Sequence, residues 1–332
     1  MNHHQKHLSA CLIALAALFS TAPIGAWAAT APALNSASGY AVLSAGTATT
    51  PSSTVADPTA MVTTTGSTTN GNNGNVGSAG GVTLTSSAIS GNVVHTGAFV
   101  NTGSTPAIGS ASDITPLPIG VINDFNTAYG NYAAIPCTTT FAEDAPGAGN
   151  TYTGNVPAIG PLAPGVYCFH TAVTFTNTTL TLTGAPNGVW IFKVGIDGTG
   201  ALTSTDSSVV MAGGNACNVS WWVAQAATIT RGSFQGYILA GAAITMTGVA
   251  GAPSSFNGDA LANGKVKLTD MNVTSCGAGG GGNDNDGDGN DKDKDHHDKD
   301  HHDKDKDHKD DSHHSFKEGG SPFDMDEHGD KK

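Results

Sequence analysis

The fold is indicated by three short runs that share one pattern: AATIT at residues 226–230, AITMT at 243–247 and KVKLT at 265–269. In each run, apolar residues alternate with Thr or Lys. Successive side chains of a β-strand point to opposite faces, so the apolar residues of each run would point inward and their neighbours outward. The pattern therefore predicts short strands in stacked coils, each burying its apolar side against the next.

The same alternation occurs elsewhere in the chain. An apolar element precedes each of the three runs, at 222–224, 238–240 and 260–262. Earlier Thr-x-Thr segments lie at 83–85, 174–176, 181–183 and 203–205. Short runs of Thr, Val and Ile broken by Gly, Asn, Asp and Ser are typical of strands and turns. We therefore expect a mainly β protein with coils of about 20 residues.

Only one stretch has helical periodicity. Apolar residues recur at Ile122, Phe125, Tyr129 and Tyr132, which places them on one stripe of a helix. A proline precedes this stretch and another follows it, as is common at helix ends. The sequence predicts a single helix over about 119–134.

Charge is distributed unevenly along the chain of 332 residues, whose net charge is −13. Residues 281–332 contain 18 acidic and 9 basic residues, whereas residues 29–280 contain 9 acidic residues, 4 basic residues and 2 His. Nucleic-acid binding needs clustered Lys and Arg, and the sequence offers no such cluster in 29–280. The scarcity of groups that could act as acid, base or nucleophile activator also argues against an enzyme.

The N-terminal segment is typical of an export signal. A short polar segment with Lys6 precedes the apolar run 11–19, and a small-residue cleavage site ends at Ala28. We expect residues 1–28 to be removed and the protein to be secreted; association with the cell surface is the alternative. The sequence has no other apolar run long enough for a transmembrane segment.

Four cysteines follow the export signal: Cys137, Cys168, Cys217 and Cys276. An even count in an oxidising compartment predicts two disulfides, for which three pairings exist. We favour Cys137–Cys168 and Cys217–Cys276. Metal ligation is the alternative, but the sequence has no C-x-x-C pair to support it.

Several motifs, taken in order, resemble the microbial ice-binding protein family. They are YAVLS at 40–44, LAPGVYC at 162–168, GVWIF at 188–192, NACNVSW at 215–221, GYILA at 236–240 and GDALAN at 258–263. The resemblance implies a right-handed β-solenoid of roughly triangular section over residues 29–280, with the helix packed along one face. Residues 46–80 depart from the family pattern. Their Thr/Ser/Gly/Asn-rich composition suggests a low-complexity insertion near the first coil.

The resemblance also implies an ice-binding, antifreeze-type function, with an ice crystal surface as the partner. Stacked strands lie about 4.7–4.9 Å apart and alternate residues on a strand about 6.6–6.8 Å apart, both close to oxygen repeats in ice. Two outward Thr per coil would then form a flat lattice. The expected face consists of Thr174, Thr176, Thr203, Thr205, Thr228, Thr230, Thr245, Thr247 and Thr269.

A second interpretation is a cell-surface or matrix solenoid with an adhesive or structural role. Lys265 and Lys267 favour it, because they fall at the Thr-equivalent edge of the last coil, and Arg231 follows the first Thr pair. Trp221 and Trp222 are adjacent on a predicted strand and would face opposite ways. One would be in the core, and the other would lie under the helix or form an exposed platform for sugars.

Residues 281–332 have a composition that cannot form a packed core, so we expect a disordered tail. Asp284, Asp286, Asp288 and Asp295 have the spacing of part of a calcium loop. Imidazoles suit Zn, Ni or Cu, and the tail offers His296, His297, His301, His302, His313 and His314. The tail would either bind such metals weakly or serve only as a solvated, charged segment. Neither ice binding nor adhesion is expected to require a cofactor.

Overall fold

The computed structural model describes residues 29–46, 60–71, 74–106, 113–144, 147–153 and 161–277. The export signal 1–28 and the tail 281–332 lie outside the described residues, so the predictions made for them are not tested. None of the described helices is long and apolar enough to cross a membrane.

The first half of the solenoid consists of short strands that begin soon after a 3-10 turn at Asn35–Gly39. They are β1 (Tyr40–Ser44), β2 (Met61–Thr65), β3 (Thr68–Gly71), β4 (Asn75–Ser78), β5 (Gly81–Thr85), β6 (Ala88–Ile89), β7 (Val93–His95), β8 (Phe99–Thr102), β9 (Thr105–Pro106) and β10 (Asp113–Ile114). The helix α1 (Ile119–Ala134) follows.

The second half follows the helix. Its strands are β11 (Thr139–Phe141), β12 (Asn150–Thr153), β13 (Gly165–Phe169), β14 (Val173–Thr176), β15 (Thr179–Thr183), β16 (Trp190–Val194), β17 (Leu202–Ala212), β18 (Val219–Val223), β19 (Ala227–Gln235), β20 (Tyr237–Ala240), β21 (Ile244–Thr247), β22 (Ser254–Asn257), β23 (Ala260–Ala262), β24 (Val266–Thr269) and β25 (Met271–Ser275). A second 3-10 turn lies at Ala216–Asn218.

Parallel pairing stacks these strands into three faces. The helix face has the order β10-β7-β4-β1-β23-β20-β18-β16-β13-β11. The threonine face has the order β8-β5-β2-β24-β21-β19-β17-β14-β12. The third face has the order β9-β6-β3-β25-β22-β19-β17-β15. The long strands β17 and β19 turn the corner between the threonine face and the third face, so each belongs to both.

The stacking order differs from the chain order. Strand β1 pairs with β4 on one side and with β23 on the other, in register Leu43 with Leu261. The N-terminal coils therefore sit on the last C-terminal coil. The helix α1 connects β10 at one end of the stack with β11 at the other. These features confirm a mainly β solenoid with one α-helix in the described part of the chain, and α1 has the bounds that its periodicity predicts.

Two apolar clusters hold the molecule together, one inside the coils and one between α1 and the helix face. Trp221 is fully buried inside, where its ring lies 4.1 Å from that of Phe192. Trp222 points the other way and lies 5.3 Å from the ring of Tyr129 on α1. Trp222 is therefore covered by the helix, and the exposed sugar platform considered above is not formed.

Two disulfides have the favoured pairing. Cys137–Cys168 attaches the segment after α1 to β13, with a Cα–Cα distance of 5.9 Å. Cys217–Cys276 joins the start of β18 to the end of β25, with a Cα–Cα distance of 5.5 Å. The second bond closes a segment of three successive coils.

The prediction that residues 46–80 form a low-complexity insertion is wrong for the later part of that range. Residues 61–65, 68–71 and 75–78 are the strands β2, β3 and β4. Val62 and Val76 are buried in the core, and Thr64 donates a hydrogen bond to the buried Ser87 hydroxyl. A Thr-rich composition is compatible with strands because Thr has a high strand propensity and alternate side chains point into the core. Residues 47–59 lie outside the described part of the chain.

Candidate functional site

The threonine face presents two straight columns of outward side chains. From β8 to β12, the first column reads Val100, Thr83, Thr63, Lys267, Thr245, Thr228, Thr203, Thr174 and Thr151. The second column consists of Thr102, Thr85, Thr65, Thr269, Thr247, Thr230, Thr205, Thr176 and Thr153. Sixteen of these eighteen positions are Thr, and the second column is Thr throughout.

Strand geometry sets the spacing of this array. Neighbouring strands repeat at about 4.8 Å, and the two columns lie about 6.7 Å apart because one inward residue separates them on each strand. Nine strands make the array about 38 Å long. On eight of the nine strands the residue between the columns is buried, as Leu84, Met246 and Ile229 show, whereas Asn101 on the end strand β8 is exposed. Every strand from β5 to β12 is thus fixed by the core directly beneath the Thr positions.

The hydroxyls of this array are left for solvent. Within the described residues, none of the sixteen Thr side chains makes a hydrogen bond to another protein group, and all are at least partly exposed. The third face behaves differently. There the Ser255 and Ser233 hydroxyls lie 2.9 Å apart, and the Asn257 amide donates to the Gln235 side-chain oxygen at 3.1 Å. Among the described side chains, the threonine face therefore offers the one regular set of unpaired hydroxyl and methyl groups.

The edge toward the third face is formed by a tight corner. The residue after the second-column Thr has a positive φ in most coils, namely Gly103, Ser86, Gly66, Asp270, Arg231, Asp206 and Asn177. This left-handed conformation turns the chain away from the face within one residue. Arg231 was expected to disturb the array, but the corner removes it from both columns. Its guanidinium binds the carboxylate of Asp206, the equivalent corner residue of the next coil, and lowers the pKa of that carboxyl.

The edge toward the helix face carries a third column, of small residues for the most part. It consists of Ala98, Gly81, Met61, Lys265, Ala243, Ala226, Ala201, Ala172 and Gly149. Lys265 stands in this column, and Lys267 stands in the first Thr column on the same strand. Both lysine side chains are exposed. Both lysines were expected at Thr-equivalent positions. Lys267 does occupy such a position, whereas Lys265 lies in the third column, next to it.

All nine Thr residues expected from the sequence lie on the threonine face. Seven further Thr residues complete it: Thr63, Thr65, Thr83, Thr85, Thr102, Thr151 and Thr153. A signal for four of them was present, because MVTTT at 61–65 and GVTLT at 81–85 repeat the alternation of the later coils. The segment at 181–183 has the same alternation but lies on the third face. Alternation alone does not reveal which face a strand joins.

The adjacent acidic pair of the described residues serves local structure. The adjacent acids Glu143 and Asp144 order one loop, since Glu143 accepts hydrogen bonds from Thr171 and the Gly147 amide, and Asp144 accepts one from the Thr151 amide. The bonds from Thr171 and Gly147 hold the pKa of Glu143 below its usual value. Within the described residues, no three His, Cys, Asp or Glu side chains come together as a metal site. The metal ligands considered at 284–314 lie outside those residues.

The geometry defines a class of protein: a three-faced solenoid that displays one regular, Thr-rich array on an open surface, with Lys267 as its one charged position. The family model for ice-binding-like proteins matches residues 56–274, about two thirds of the chain. The chain therefore belongs to the ice-binding-like family.

Individual relatives cover different shares of the chain. An ice-binding protein of Nostoc sp. (strain HG1) is 39% identical over 88 residues, which are 26% of this chain and 32% of that protein. The chain thus spans about a third of the length of this curated relative. An ice-binding protein from an Antarctic Flavobacteriaceae bacterium is 23% identical over 74% of this chain and 47% of its own, with a TM-score of 0.47. A domain of Shewanella frigidimarina ice-binding protein 1 is 22% identical over 74% of this chain and 99% of its own, with a TM-score of 0.46.

Proposed function

We propose that this protein is a secreted ice-binding protein that adsorbs to ice through the threonine face, and so restrains the growth and recrystallisation of ice. The observation that carries the proposal is the array of sixteen outward Thr, whose hydroxyls have no protein partner among the described residues. Membership of the ice-binding-like family supports it independently.

The physical basis is a match of lattices. Each Thr contributes one hydroxyl, which can donate and accept hydrogen bonds, and one methyl group, which cannot. Repetition at about 4.8 by 6.7 Å arranges water over the face with spacings close to those of oxygen in ice. Binding to a solid requires that many weak contacts form at once, so a surface that is already ordered loses little entropy on adsorption.

Rigidity is supplied by the rest of the molecule. The coils are filled by close-packed apolar side chains, α1 covers the helix face and two disulfides tie successive coils together. A strand in the middle of a parallel stack is hydrogen-bonded on both sides and buried on one face, so its outward positions stay in register.

The proposed function is binding, not catalysis, and requires no cofactor. Retention at a cell surface or in a matrix is the second candidate, and the observation that favours it is the exposed Lys267 within the array. A long, hydrated ammonium group on a flat face suits a charged partner better than a crystal.

Thermal hysteresis of the purified protein tests the proposal. Thr228 lies next to the middle of the first column, so Thr228→Tyr should place a bulky ring on the flat face and remove most of the activity. Thr181→Tyr is the matched control, because Thr181 is an outward Thr of β15 on the third face. Both variants should keep the circular dichroism spectrum and melting temperature of the parent.

The two candidates give different results. An active parent whose activity is lost only in Thr228→Tyr supports adsorption through the threonine face. A folded, disulfide-bonded parent that shows no hysteresis at high concentration would remove ice as the ligand. Retention on cell-surface or matrix material would then be measured next.

A further inference from the structure

The threonine face is interrupted at one strand. Strand β24 is fourth of the nine, counted from β8, and it carries Lys267 where its neighbours β21 and β2 carry Thr245 and Thr63. The second column continues through β24 as Thr269. The interruption is therefore a single position in the first column, with Lys265 beside it in the column of small residues.

A lysine at this position makes the surface of the array locally higher and more strongly hydrated. Its four-carbon stem extends beyond the methyl and hydroxyl groups of the flanking Thr, and its ammonium group is strongly hydrated. Within the described residues no carboxylate forms an ion pair with Lys267, whereas Arg231 at the corner forms one with Asp206. A crystal plane in contact with the array would have to displace the water around this charge or immobilise a flexible side chain, and both are unfavourable.

The two sides of the interruption are unequal. The side from β21 to β12 contains five strands with Thr at both positions, and its third column contains only Ala and Gly. This block is about 19 Å long. The side from β2 to β8 contains two such strands, after which Val100 ends the first column. Its third column also includes the larger Met61.

We infer that ice contacts only the five-strand block from β12 to β21, and that Lys267 is the residue that sets its boundary. This inference rests on the proposed function, because it divides the same surface into a part that works and a part that does not. The N-terminal Thr pairs on β2 and β5 then form a separate patch that contributes little to adsorption.

Tyr substitutions on the two sides of Lys267 test the division. Thr228→Tyr lies inside the five-strand block and should remove most thermal hysteresis. Thr63→Tyr lies on β2 in the same column but outside the five-strand block, and it should lose much less thermal hysteresis than Thr228→Tyr does. Equal losses in the two variants would overturn the inference while leaving ice binding intact. A parent that is inactive, or a Thr228→Tyr variant with full activity, would instead overturn the proposed function.

Removal of the lysine tests its role directly. Lys267→Thr would join the two blocks into eight consecutive strands with paired Thr. Thermal hysteresis should rise at least about 1.5-fold, in line with the larger contact area. Lys267→Arg keeps a long charged side chain and should match the parent.

The double variant Lys267→Thr with Thr63→Tyr should return to the level of the parent, because Thr63 becomes part of the working surface only when Lys267 is gone. No gain in Lys267→Thr, or no loss when Thr63→Tyr is added to it, would contradict the assignment of Lys267 as the boundary.

Discussion

At the residue scale, the most unusual side chain is Asp259. It follows the corner glycine before β23, is fully buried, and neither carboxylate oxygen has a hydrogen bond of good geometry within the described structure. Burial raises the pKa of Asp259 to about 7, and the nearby Ser275 hydroxyl and Cys276 amide offset only part of that effect. The carboxyl is therefore protonated in the folded protein over a range of pH in which it would ionise in the unfolded chain.

This predicts a stability that depends on pH. Because the folded state holds the proton more tightly, the contribution of Asp259 is fully present below about pH 4 and is lost as pH rises to about 7. A difference of about 3 pKa units corresponds to about 4 kcal/mol. Asp259→Asn cannot ionise, so its free energy of unfolding should fall less than that of the parent between pH 4 and pH 8. Parallel pH profiles for the two proteins would mean that Asp259 is ionised in the fold.

Ser204 and Ser207 form a natural pair for comparison on β17. Ser204 points into the core between Phe175 and Ile229, and its hydroxyl has no partner in the described structure. The buried Ser207 hydroxyl donates to the Thr205 carbonyl and accepts from the Thr178 amide. A buried polar group without a partner is unfavourable, whereas a satisfied one contributes about 1 kcal/mol.

We expect Ser204→Ala to leave the free energy of unfolding unchanged or to raise it by about 1 kcal/mol. Ser207→Ala should lower it by about 1–2 kcal/mol, because the Thr178 amide would be left without a partner. Urea unfolding of both variants measures the difference. A larger loss in Ser204→Ala than in Ser207→Ala would be inconsistent with these contacts.

At the element scale, α1 is attached to the solenoid by a lysine that the sequence did not single out. Lys193 on β16 is buried, and its Nζ donates to the carbonyls of Ala133 at 2.8 Å and Ile135 at 2.6 Å. The ammonium group also lies 6.0 Å from the ring centroid of Trp222. A cation at this end of a helix satisfies carbonyls that have no partner within the helix. Burial lowers the pKa of Lys193.

Lys193→Met should therefore lower the free energy of unfolding by about 2 kcal/mol, because two carbonyls lose a charged donor. Hydrogen exchange should accelerate in the last turn of α1. Lys265→Met is the control: its side chain is exposed, so the change should stay within about 0.5 kcal/mol. Similar losses in the two variants would show that the contact with α1 is not what Lys193 contributes.

The elements differ in how clearly the sequence predicts them. The helix has one apolar stripe that depends only on local spacing, so its bounds follow from Ile122, Phe125 and Tyr132. Strands β19 and β21 are revealed by clean alternation. Strand β2 also alternates, but its signal is masked by the low-complexity stretch beside it. Strand β12 is short and follows a Pro/Gly-rich segment, so its signal is weak. From the sequence, Arg231 is expected to disturb the Thr array. Its left-handed backbone conformation, which the sequence does not reveal, places it at the corner instead.

At the scale of the whole molecule, the stacking order could not be predicted from the residues alone. Val42 of β1 pairs with Ala260 of β23, which lies more than 200 residues away, and local patterns carry no information on such a contact. The family resemblance implied the shape, but the register that aligns Thr63 with Lys267 and Thr245 comes from the structure. Completion of the array from nine Thr to sixteen depends on that register.

Stability of the stack should depend on the bond Cys217–Cys276, which closes a segment with a sequence separation of 59. The chain-entropy relation assigns about 4 kcal/mol to a loop of this length. Replacing both cysteines by Ala should lower the free energy of unfolding by up to that amount. Activity measured well below the melting temperature should be retained, since neither cysteine lies on the threonine face. Loss of activity in a folded double variant would instead link the bond to the shape of the array.

The most direct measurement of the central claim is partition into growing ice. The parent, Thr228→Tyr and Thr181→Tyr would each be placed in contact with a slowly growing ice hemisphere, and the protein in the ice and liquid fractions would be quantified. The parent and Thr181→Tyr should be concentrated in the ice, while Thr228→Tyr should remain in the liquid. Exclusion of the parent, or equal incorporation of the two variants, would contradict the claim that the threonine face binds ice.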